Sequence, residues 1–299
     1  MSLSAGARAN DNIMFGAVCV MGSMLFIAGM DGFAKYLSQH YPVMQVTWAR
    51  YVFHFAILVP IVWVRYGAAA FLPPRLGLQL LRSVFMVAAT VLFFFGLSHM
   101  PIAETLALAF IAPLVVTALA PFLLGERVGI RRCAAVTVGF LGTLFIIKPG
   151  TDVFQWVALL GLGAGAVYAL YIIATRQLAG TAPPLVTLAY SALVGTVVMT
   201  LALPIAWVTP SWPDLAAMAA MGALAACGHF LVIIGYERAQ ASAVAPYGYT
   251  ELLWATAIGY FIFGDLPDIW AWLGMAIICA SGVYISLREL RLAASRSTK

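Results

Sequence analysis

The chain reads as ten apolar runs separated by short breaks rich in proline, glycine or charge. The runs fall at roughly 13–37, 43–64, 78–97, 102–124, 133–147, 154–175, 185–207, 215–236, 242–263 and 270–287. Each is close to the length, about 20 residues, that an α-helix needs to cross a hydrocarbon core. The breaks carry turn signals: Tyr41-Pro42, Pro73-Pro74, Met100-Pro101, Pro149-Gly150, Pro183-Pro184 and Pro267. No break is long enough to hold a folded domain, so any functional site must lie within the spans.

The second half of the pattern repeats the first. Gly125-Glu126-Arg127 closes one long run, and Gly264-Asp265-Leu266 closes another 139 residues later. The segment Pro60-Ile61-Val62-Trp63-Val64 has its echo in Pro204-Ile205-Ala206-Trp207-Val208. Each copy holds five spans. Five is odd, so the second copy must sit upside down relative to the first, an arrangement typical of transporters. The predicted organisation is a tail over 1–12, a first five-helix repeat over 13–148, a second over 154–288 and a tail over 289–299. The expected fold class is an all-α membrane protein whose two inverted repeats surround a central cavity.

Composition narrows the class further. The chain is 64% hydrophobic and only 9% charged, whereas soluble domains carry about 25% charged residues. A water-soluble globule is therefore excluded. The first run exceeds the apolar core of a cleavable signal peptide, and nine more spans follow it. The formal net charge is +5, but it does not point to a nucleic-acid partner. The basic residues stand in short loops beside apolar runs, where they act as topology signals. Arg65, Arg75, Arg82, Arg127, Arg131, Arg132, Arg176, Arg238 and Arg288 fall on one face, and only Lys35 and Lys148 on the other. That asymmetry predicts a multi-pass protein of a bacterial inner membrane with both termini cytoplasmic. The partners it implies are the lipid bilayer and a small-molecule substrate. Cys19, Cys133, Cys227 and Cys279 lie inside apolar runs with no metal-ligand spacing and read as small core residues. Trp63, Trp156, Trp207, Trp212, Trp270 and Trp272 read as an interfacial belt.

Candidate chemistry resides in the few polar residues at depth. Glu251 lies about ten positions into the ninth span. A charge so deep costs about 2.5–3.5 kcal/mol on insertion scales, so it should face a partner or a polar cavity. Arg50 in the second span is able to bind a carboxylate, and His229 lies mid-span in the eighth. His54 reads as a hydrogen-bonded core histidine. Asp31 and Lys35, four apart, read as a local ion pair along one helix face. Tyr168, Tyr171, Tyr247, Tyr249 and Trp254 lie too deep for the belt and are candidates for a pocket suited to an amphipathic solute. Glycines at packing spacing, Gly161 to Gly165 and Gly222 to Gly228, predict close helix approach. Pro113 and Pro246 predict kinks. No GxxxxGK[ST] loop, HExxH, GxSxG or GxGxxG occurs in an enzymatic context, so neither an enzyme nor a bound cofactor is expected. Transport would be passive or ion-coupled.

At these residues the chain resembles the drug/metabolite transporter superfamily, and within it the proteins with two EamA-type half-repeats. The segment from Ile111-Ala112-Pro113-Leu114 to Gly125-Glu126-Arg127 carries the likeness, with a weaker second copy ending Phe263-Gly264-Asp265. The resemblance implies a ten-helix basket that works by alternating access. It also implies export of amino acids or related metabolites, with the aromatic amino-acid exporters as the nearest type. In that picture Glu251 would hold the substrate amine, and Arg50, His229 or tyrosine hydroxyls its carboxylate. A transporter for a cationic drug or nucleotide sugar, a scaffold and an intramembrane enzyme remain the alternatives.

Overall fold

The computed structural model describes residues 3–68, 74–125, 129–148, 156–178, 180–203, 207–238 and 244–297, and among them the regular structure is all helical. Spans one to three are Leu3–Ser38, Val43–Tyr66 and Leu76–Leu97. Span four is broken into Ile102–Ala109 and Ala112–Leu123. Spans five to eight are Ile130–Ile147, Ala158–Gln177, Pro184–Ala202 and Trp212–Arg238. Span nine has three parts: a 3-10 turn at Ala245–Tyr249, an α segment at Thr250–Ile258 and a π turn at Gly259–Phe263. Span ten is Ile269–Ser297. Among the described residues seven spans, with the broken span four counted whole, are long and apolar enough to cross a membrane by themselves. Spans one and ten run on into the expected tails, whose described residues contain no proline to stop the helix.

The breaks in spans four and nine fall at the same place in the repeat. Pro113 lacks an N–H and its ring clashes with the carbonyl four residues back, so the helix interrupts at Phe110–Ile111. Adding the 139-residue offset gives Tyr249–Thr250, where the Pro246-bearing 3-10 turn becomes α-helix. The two breaks meet in space. The Phe110 and Tyr249 rings, equivalent in the repeat, pack edge to face at 5.1 Å.

The helix pairings obey the exchange that relates the repeats. Span one packs on eight as six packs on three; one packs on nine as six packs on four. Spans two and seven, five and ten, and four and nine pair with their own equivalents. All of these contacts join one repeat to the other, so the halves interleave around a shared interior. Glycines let them approach. A Cβ on Gly165 would lie 2.6 Å from the Ala109 carbonyl oxygen at the break of span four. Gly222 stands against the Phe53–His54 backbone of span two, and Gly142 and Gly274 face each other between spans five and ten.

Several local expectations change. Lys35 does not pair with Asp31. It forms an ion pair with Asp265 and donates to the Met100 carbonyl at 2.9 Å. The same end of the bundle holds three further contacts between repeats. Lys148 pairs with Asp268, the Tyr41 hydroxyl donates to Asp214 at 2.8 Å, and Gln45 bonds both backbone groups of Val208. The hydrogen bond from Lys148 holds the Asp268 carboxyl below its usual range. This latch is therefore present above the ordinary aspartate pKa and is lost only as pH falls through the depressed value. Cys19 is buried and Cys279 half-buried, but Cys133 and Cys227 are exposed on the bundle surface, not in its core. The six tryptophans assigned to the belt are all exposed. Glu126-Arg127 and the Pro73, Pro149-Gly150 and Pro204–Ala206 signals lie outside the described residues.

Candidate functional site: a polar cavity at the broken helices

A cavity of about 280 Å³ opens between spans one, two, three, four, six, eight and nine. Its walls follow from helical spacing. Met24, Ile27 and Asp31 recur on one face of span one, and Met86, Ala89, Thr90 and Phe93 on one face of span three. The break in span four presents Ala109 and Phe110. The break in span nine starts a new α segment at Thr250, which places Glu251 in its first turn and on the cavity wall.

Two carboxyl groups and one guanidinium stand in this mostly apolar chamber: Asp31 at 1% exposed, Glu251 at 9% and Arg50 at 3%. Arg50 donates from Nε to the Met30 sulfur at 3.2 Å, and its guanidinium lies 4.7 Å from the Tyr51 ring centroid. Its Nη1 has no hydrogen-bond partner, and neither has Asp31 Oδ1. His54 stacks on the cavity residue His229 with ring centroids 5.6 Å apart and planes 10° apart. The His54 Nε2 is buried without a partner, so His54 is not the hydrogen-bonded core histidine its sequence context suggests.

The sequence candidates divide into two groups. Glu251, Arg50, His229 and Tyr168 line the cavity. Tyr171 lies behind the wall: it stacks on Tyr168 at 5.1 Å and accepts a 2.6 Å hydrogen bond from Arg82. Tyr249 packs at the crossing of the broken helices, while Tyr247 and Trp254 turn outward, 37% and 40% exposed. The lining that sequence reasoning missed is Asp31, together with Met24, Met30, Met86 and the Phe93 and Phe110 rings. For Asp31 the available signal was the one used for Glu251, a charge far inside an apolar run. Its neighbour Lys35 disguised it.

Arg82 is also placed differently from its sequence assignment as a surface cation. It is 3% exposed and ties span three of one repeat to two spans of the other. It donates to Thr175 Oγ1 at 2.7 Å and Tyr171 Oη at 2.6 Å on span six, and to the Thr187 carbonyl at 2.9 Å and Ser191 Oγ at 3.0 Å on span seven. Arg82→Gln should cost about 3 kcal/mol, because four acceptors lose a charged donor in a buried site. Arg82→Lys should not rescue it, since one ammonium cannot fork to two helices. Thermal unfolding in detergent measures both, and a lysine variant as stable as the parent would refute the fork.

A ten-span bundle of two interleaved repeats, with a polar chamber at two broken helices, defines a membrane carrier. The chain belongs to the EamA-like transporter family, whose model matches it twice, over residues 14–148 and 155–287. It is 29% identical over 269 residues to the S-adenosylmethionine uptake transporter of Rickettsia prowazekii, covering 89% of this chain and 90% of that one. It is 29% identical over 252 residues to a riboflavin transporter of Rhizobium johnstonii, covering 84% and 83%. It is 27% identical over 281 residues to a riboflavin transporter of Vibrio cholerae, covering 92% and 94%. A solved crystal structure, 19% identical, shares the fold with a TM-score of 0.65 over 95% of this chain and 99% of its own. Family and relatives are transporters and not enzymes. These relatives do not support the expected amino-acid export: they are named for larger solutes, and those for S-adenosylmethionine are uptake transporters.

Proposed function

We propose that this protein carries a cationic or zwitterionic metabolite with a flat aromatic part, of the S-adenosylmethionine class, across the membrane by alternating access. The observation that supports this reading is the charge set of the cavity. Asp31, Glu251 and Arg50 comprise two carboxyl groups and one guanidinium, and leave room for one net positive charge. Burying a charge in a chamber of this kind is unfavourable unless it is paired. A solute with a sulfonium, an ammonium and one carboxylate supplies that pairing, and a neutral flavin does not. Phe93, Phe110 and Tyr168 offer ring faces for a base, and Met24, Met30 and Met86 offer an adaptable apolar wall.

The positive loop charges argue for both termini on the cytoplasmic side, which puts the Lys35–Asp265 and Lys148–Asp268 contacts at the outer end. With no nucleotide site in the sequence, the carrier is facilitative or ion-coupled, and gradients set its direction. Proteoliposomes containing the purified protein should take up labelled S-adenosylmethionine saturably, with competition by unlabelled S-adenosylmethionine and little by riboflavin. Riboflavin uptake without S-adenosylmethionine uptake would overturn the assignment.

A further inference from the structure

Asp31 and Arg50 carry opposite charges, line the same chamber and lie within electrostatic reach of each other, yet no ion pair joins them among the described residues. Each is more than nine-tenths buried and keeps one polar atom unpartnered, Oδ1 on Asp31 and Nη1 on Arg50. Buried opposite charges ordinarily close on each other, because each unmade hydrogen bond leaves a desolvated group uncompensated. Arg50 is held back from doing so. Its Nε bonds the Met30 sulfur, and its guanidinium lies against the Tyr51 ring. The two side chains thus line one cavity as an acceptor and a donor that do not close on each other.

We infer that Asp31 and Arg50 together form the subsite for an α-amino-acid head group, whose carboxylate takes the Arg50 guanidinium and whose ammonium takes the Asp31 carboxylate. The inference rests on the solute class proposed above and adds a division of labour to it. A zwitterionic head carries its two charges on one carbon, so its readers must be two neighbouring groups of opposite sign that do not already neutralise each other. Asp31 and Arg50 fit that requirement. Glu251 enters from the opposite repeat and is left for a second positive charge further along the solute. Specificity then has two parts: Arg50 and Asp31 read the head, and Glu251 reads the remaining cation.

The test is a ligand-deletion cycle on the full-length protein in nanodiscs, with S-adenosylmethionine and its decarboxylated analogue as probes. The wild type should bind S-adenosylmethionine at least about tenfold more tightly than the analogue, as expected for a charge-assisted contact. Arg50→Gln should erase that preference by weakening only the carboxylate-bearing probe. Arg50→Lys, which keeps the charge, should retain part of it and serves if the glutamine variant does not fold. Asp31→Asn should weaken both probes, since both keep the ammonium. If the wild type binds both probes equally, or if Arg50→Gln weakens both alike, the head-group subsite is wrong while the solute class stands. If the wild type binds neither, the solute class falls and the subsite with it.

Discussion

Glu251→Gln is expected to reduce transport of a cationic solute about 100-fold at sub-saturating concentration while leaving the bundle folded. The two halves of that outcome come from one fact. Glu251 is a nearly isosteric swap away from being neutral, and it sits on the cavity wall at 9% exposure, in the first turn of an α segment created by the break in span nine. A charge-assisted contact with the solute is worth about 1.5–3 kcal/mol, or about 10- to 150-fold. The fold gains nothing from that charge, because inserting an ionised acid near the bilayer centre costs about 2.5–3.5 kcal/mol. The glutamine variant should therefore melt no lower than the parent. Uptake into proteoliposomes and thermal unfolding of the same preparation measure the two halves. Undiminished uptake by the variant would remove Glu251 from the solute site, and an unfolded variant would make it a structural acid.

Gly165→Val is expected to prevent assembly. The added carbon would lie 2.6 Å from the Ala109 carbonyl oxygen and 2.8 Å from the Ile111 side chain, where span six crosses the break in span four. The obstacle is backbone and cannot rotate away. The cost should exceed the about 1–3 kcal/mol usual for overpacking, and the folded peak should vanish from size-exclusion chromatography. Gly163 supplies the internal control. A Cβ there would meet only Leu92 at 3.5 Å, an ordinary contact, so Gly163→Ala should behave as the parent does. A Gly165→Val protein that eluted normally would show that spans four and six are free to separate.

Hydropathy made the ten spans legible, and the 139-residue offset made the repeat legible, because both are written in runs of many residues. Pro113 and Pro246 announced the breaks, but not that the breaks would meet, since Phe110 and Tyr249 come from opposite repeats. Glu251, Arg50 and His229 were legible as cavity residues because polar groups at depth demand an explanation. Asp31 was lost to a local rule. The i,i+4 pairing considers only its own helix, and the partner that Lys35 takes is 230 residues away. The aromatics of span nine failed for a different reason. Tyr247 and Tyr249 stand in a 3-10 turn, which advances about three residues per turn where an α-helix advances 3.6. Depth in the span, the ground on which they were chosen, does not say which side such a turn presents.

The interleaving of the repeats has a consequence for how the protein is made. Every principal pairing of the first five spans is with a span of the second repeat, and the second repeat is still on the ribosome when the first enters the lipid. At about 5–20 residues per second, its synthesis takes about 7–30 s. For that interval Asp31, Arg50 and Arg82 stand in the bilayer without the neighbours that later enclose them. The newborn half is thus a client for whatever insertion machinery shields polar groups from lipid, and its vulnerable period is set by translation speed.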